Sequence, residues 1–146
     1  MSKTNYAHIL LATDLSNDEK RLHKRTLELR EHYQAKLTII HVVHDILAYS
    51  GMYGCFSAGD INEQIYQEAK SSLIKLGKKL GVEKENLLVT HGNTKDKIIE
   101  TAERLNCDLV IIGGHTKNGL ERLIGSTANS VIQGANCDVL VVKCPN

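Results

Sequence analysis

Apolar residues fall along this chain in short unbroken runs, separated by longer stretches in which they recur every third or fourth position. The runs are His8–Thr13 (HILLAT), Lys36–Val43 (KLTIIHVV), Leu87–His91 (LLVTH), Asp108–Ile112 (DLVII) and Asp138–Lys143 (DVLVVK). Continuous rather than alternating apolarity suits strands of a parallel sheet covered on both faces. The stretches between them carry helical spacing. Ser16 or Asn17 is placed to cap a first helix, with Asp18 and Glu19 in its first turn and Leu22, Thr26, Leu29 and Tyr33 on its inner side. A second helix is expected over Ile61–Leu80, with Ile61, Ile65, Ala69, Leu73, Leu76 and Leu80 inward and Gly81 as its stop. Thr94 caps a third, with Ile98, Ala102 and Leu105 inward, and a fourth starts at Ser126 with Ala128, Val131, Ile132 and Ala135 inward. The order βαβαβαβαβ predicts a single α/β domain over residues 1–146, an open parallel sheet with helices on both faces.

Two stretches break the rhythm. His44–Asp60 (HDILAYSGMYGCFSAGD) has no period and is longer than an ordinary connection, the length at which loops serve as lids or interaction surfaces, or stay floppy inserts. Asp108–Asn129 starts as a strand, is expected to break at Gly113-Gly114, crosses a polar loop and restarts as a helix at Gly125-Ser126-Thr127. A strand, a glycine-rich loop and a helix N-terminus in an open α/β sheet form the usual docking place for anions.

Composition adds mostly exclusions. Apolar residues are 42% and charged residues 24% of the chain, as in a soluble globular protein, and the net charge of +1 gives no bulk attraction for nucleic acid or anionic membrane. The opening MSKTNYAHILLATD lacks the long apolar core and cleavage site expected of a signal peptide, and no apolar run nears the roughly 18 residues of a membrane span, so the cytoplasm is the expected compartment. Cys55, Cys107, Cys137 and Cys144 form no C-x-x-C pair; Cys107 and Cys137, each ahead of an Asp and a strand, read as small buried hydrophobes rather than zinc ligands or a disulfide. His8, His41 and His91 read as packing residues, His23, His32 and His44 as exposed, and His115, beside the glycines, as a structural or phosphate-neighbouring residue. The chain contains neither G-x-S-x-G nor a P-loop lysine motif, and no carboxylate pair suggests hydrolysis. The expectation is a protein without catalysis of its own.

Three features together resemble the universal stress protein family: ATDLS (Ala12–Ser16) closing the first strand, KLTIIHVV, and GGHTKNGLERLIGSTANSVI followed by NCDVLVVK. The resemblance spans nearly the whole chain, and GSTANSVI before CDVLVV is most similar to the UspA-type bacterial members. It implies the strand order 3-2-1-4-5, a cytoplasmic stress role, contacts with a protein partner not identified by sequence, and a homodimer through Val139–Val142. The apolar edge those residues would present is itself a reason for pairing, unless the strand is internal and simply buried.

Some members hold ATP through G-x2-G-x9-G-[ST], whose glycines let backbone amides close on the phosphates. Here Gly113 and Gly125-Ser126 keep the ends, Thr116 replaces the middle glycine, and the second spacer is one residue short. ATP is therefore the one cofactor the resemblance raises, with no metal. It would place Asp14 at the base or ribose, the Val42 backbone at adenine, and Gly113, Thr116, Gly125, Ser126 and Thr127 around the phosphates. Asp14 as a helix cap and Val42 as plain core are the competing readings.

Overall fold

A computed structural model describes residues 5–44, 58–115 and 125–144. Five strands, β1 (His8–Ala12), β2 (Lys36–Val43), β3 (Leu87–His91), β4 (Leu109–His115) and β5 (Asp138–Cys144), form one parallel sheet in the order β3-β2-β1-β4-β5. Among the described residues four α-helices connect them: α1 (Lys20–Tyr33), α2 (Ala58–Leu80), α3 (Thr94–Arg104) and α4 (Ser126–Gly134).

Register decides which side chains meet. Ile9 pairs with Leu37 and Leu109, and Leu11 with Ile39 and Ile111, so these residues share one face. They pack with Leu22 of α1 and Leu73 and Leu80 of α2. Leu10 and Ala12 pair with Val110 and Ile112, and this opposite face packs against Ile98 and Ala102 of α3 and Ala128 and Val131 of α4. Ile9, Leu10 and Leu11 are all 0% exposed, which makes β1 the centre of both cores. Truncating one of them to alanine removes transfer free energy and leaves a cavity, a loss of about 2–5 kcal/mol. The start of β1 is pinned by Asp108, whose Oδ2 accepts the amides of Ala7 and His8, both at 2.9 Å.

Several boundaries differ from the sequence expectation, each for a local reason. β4 does not break at Gly113-Gly114: it runs on to His115 because β5 reaches Cys144 and supplies partners Val142, Lys143 and Cys144. Gly114 serves close approach instead, since a Cβ there would lie 2.8 Å from Val141 Cγ1. α1 starts at Lys20, with Glu19 as its N-cap residue and no acidic side chain in its first turn. The cap of α3 is Asn93, whose side chain accepts the Asp96 amide at 3.2 Å, so Thr94 is one residue too late for that role. Gly81 does end α2, at φ +68°, and a short 3-10 turn, Lys84–Asn86, follows. Ile132 is 43% exposed, because Ala128 and Val131 fill the narrow stripe a short helix can offer the sheet. His23 is half-buried rather than exposed, one turn after Glu19, with 13% of its side chain accessible. The 45–57 part of the irregular stretch lies outside the described residues.

Candidate functional site

The strand order reverses at β1: the chain leaves it for β2 on one side and returns to β4 on the other. A crevice opens beyond the carboxyl ends of the strands at such a point. Here it is a cavity of about 520 Å³. Its apolar walls come from Ala12, Ile40, Ile65, Ile98 and Ile112. Asp14, Val42, Gly113 and Thr127 converge on it from four different segments. Gly125 and Ser126, the cap and first residue of α4, precede Thr127 but do not line the cavity. Thr116 lies outside the described residues.

The side chain and backbone of Val42 lie in different surroundings. Its side chain is core, with the residue 8% exposed. Its backbone is a different matter. Ile40 O accepts the Thr13 amide at 3.0 Å on the β1 side, while Val43 O accepts the Gly92 amide at 3.1 Å on the β3 side. Alternation along a strand then turns the Val42 peptide groups toward β1, which has already ended at Ala12. They face the gap.

The turn after β1 is built by side chains. Thr13 Oγ1 donates to Glu19 Oε1 at 2.5 Å, and the Asp14 amide donates to Glu19 Oε2 at 3.2 Å. Thr13 Oγ1 also accepts the Leu15 amide at 3.0 Å, and Asp14 Oδ1 accepts the Ser16 amide at 2.8 Å. Leu15 has φ +62° as a result, a region that side chains with a Cβ rarely enter. His41 Nδ1 lies 2.8 Å from Thr13 O, and because a carbonyl only accepts, that nitrogen carries the proton. Asp14 is therefore held in a loop turn that its own carboxylate helps close, not at the cap position of α1.

Sequence reasoning missed Glu19, His41, His44 and Thr94 as lining residues. Thr94 Oγ1 and His44 Nε2 sit 3.4 Å apart. His41 carried a weak signal, being a polar residue inside an otherwise apolar strand. Glu19 carried none, because an acidic residue near a helix start reads as ordinary macrodipole chemistry. Cys144 packs behind this region; burial raises its thiol pKa first, and the Glu19 and Asp14 carboxylates raise it further. Cys107 and Cys137 are free thiols also raised by burial, Cys107 to about 11.

The sequence profile described as the universal stress protein family matches residues 5–143. The chain belongs to the universal stress protein family. Universal stress protein A homolog 2 of Coxiella burnetii is 34% identical over 140 residues, covering 95% of this chain and 96% of that protein. With relatives of that name, this universal stress protein is of the UspA type. Its fold matches the solved structure of universal stress protein UspA from Lactobacillus plantarum with a TM-score of 0.75 at 23% identity, covering 96% of this chain and 99% of that one. A universal stress protein solved in complex with cAMP matches with a TM-score of 0.61 at 22% identity, covering 97% and 99%. Membership in the family carries a role in the stress response. No helix among the described residues is long and apolar enough to cross a membrane.

Proposed function

We propose that this universal stress protein is a cytoplasmic binder of adenine nucleotides, with no catalysis of its own, whose ligand state adjusts its contacts with a protein partner. One observation carries the reading: Asp14, the Val42 backbone, Gly113 and Thr127 meet in a single cavity beyond the sheet's switch point. A flat purine suits the apolar walls, a carboxylate suits ribose hydroxyls, and the amides at the head of α4 suit phosphate. The neighbour solved with cAMP supports the same ligand class.

The test is thermal unfolding of the full chain with ATP, cAMP and adenosine. A ligand at a hundredfold excess over its dissociation constant adds about 2.7 kcal/mol, which raises the melting temperature of a domain this size by roughly 5–10 °C. No shift with any of the three at millimolar concentration overturns the reading. A shift from ATP that Gly125→Val abolishes supports placing the phosphates at α4, and ATP recovered unhydrolysed supports binding without turnover.

A second reading concerns assembly and rests on β5. It is the last strand of the sheet, and Val139, Leu140 and Val141 are only half-buried along it. Pairing with β5 of a second copy would cover that edge. Sizing of Val141→Lys at micromolar concentration is expected to give a monomer where the parent chain gives a dimer. Equal elution of the two overturns edge pairing.

A further inference from the structure

We propose that Glu19 is a positioning residue: its buried carboxylate latches the β1–α1 turn so that Asp14 faces the ligand of the crevice. The proposal rests on the nucleotide reading above. A glutamate beside a helix N-terminus ordinarily stays in water, near the free amides of the first turn. Glu19 is instead 2% exposed, and no side chain caps α1.

Both of its oxygens are turned back on the preceding residues. One takes the Thr13 hydroxyl at 2.5 Å and the other takes the Asp14 amide at 3.2 Å. His23 Nε2, one helical turn further on, stands 3.4 Å from Oε1 and supplies a positive counter-charge whenever it is protonated. Thr13 passes the constraint on, because its oxygen accepts the Leu15 amide in the left-handed conformation. Asp14 lies between these two anchored residues, so its direction is set by a carboxylate that need not touch the ligand. Removing that carboxylate leaves the buried Thr13 hydroxyl and the Asp14 amide without this acceptor, and the turn relaxes.

Calorimetric titration of the full chain with ATP tests the latch. Asp14→Asn is expected to weaken binding about tenfold, the loss of one charge-assisted contact. Glu19→Ala weakens it by a similar factor, and adding Asp14→Asn to Glu19→Ala weakens it no further, because the aspartate has already swung away. Losses that multiply overturn the proposal, since a general loosening of the fold acts independently of Asp14. Glu19→Gln, which keeps an acceptor for the Asp14 amide, retains most of the affinity; a loss equal to that of the alanine variant overturns it. Should Glu19→Ala fail to fold, Thr13→Val removes one arm, and unchanged ATP affinity in that variant overturns the latch.

If the parent protein binds no ATP, the nucleotide reading fails and the latch is decided by amide hydrogen exchange. Exchange at Asp14 and Leu15 that Glu19→Ala or Thr13→Val speeds about tenfold or more supports it. Unchanged exchange overturns it.

Discussion

The ends of β1 and β4 lie side by side at the crevice and solve their geometry by opposite means. After β1 the backbone enters a left-handed conformation at Leu15 with no glycine present, held by hydrogen bonds from Thr13, Asp14 and Glu19. At the end of β4 two glycines stand together, yet the chain does not turn there; it continues in register with β5. A sharp turn therefore does not require glycine where side chains hold it, and glycine does not require a turn where a neighbour needs room.

The comparison is broken most strongly at Gly114. If the glycine is there for space, Gly114→Ala forces its methyl against Val141 Cγ1, 2.8 Å from the ideal Cβ. Overpacking of this kind costs about 1–3 kcal/mol. The melting temperature of a domain this size then falls by roughly 2–10 °C. Val141→Ala in the same chain should recover part of the loss, and a fall that the second change leaves untouched points to backbone conformation instead.

The turn after β1 gives a smaller and sharper test. Gln34, the C-cap residue of α1, has φ +52° and donates from its own side chain to the Glu31 carbonyl at 2.8 Å. It lies on the surface, where glycine relieves strain at little cost to packing, and Gln34→Gly is expected to stabilise by about 0.5–1 kcal/mol. Leu15 has a similar φ but packs against the α1–α2 core and sits inside the hydrogen-bonded turn. Leu15→Gly should gain nothing and lose up to about 1 kcal/mol, because packing offsets the relief. Denaturant midpoints for the two variants compare them directly; equal stabilisation at both positions means the side-chain hydrogen bonds do not hold the turn.

Strand identity was legible throughout because β-branched and aliphatic residues in unbroken runs have few other places to go than a sheet buried on both faces. Two ends were misread where the deciding partner is distant in sequence. The extension of β4 through Gly113 depends on Val142, and the late start of α1 depends on Glu19 folding back to Thr13. Asp14, Val42, Gly113 and Thr127 were named as candidates for the crevice they line from the family resemblance, whose positions report where chain segments end. His41 and Glu19 were not, because their part is to hold other groups, and such a role shows only when the strands are aligned. Ile132 misled for a simpler reason: helical spacing names a stripe, but not how much of it a nine-residue helix can bury.

The strand order has a consequence for how the molecule is made. β1 pairs on one edge with β2, which leaves the ribosome soon after it, and on the other with β4, where Ile9 meets Leu109. At about 5–20 residues per second, roughly 5–20 s separate the synthesis of those two partners. Through that interval the most apolar strand of the protein has one unpaired edge, and the half-built sheet β3-β2-β1 is the form most in need of shelter from aggregation. A protein of the stress response thus passes through its own most vulnerable state at birth, before β4 closes over β1.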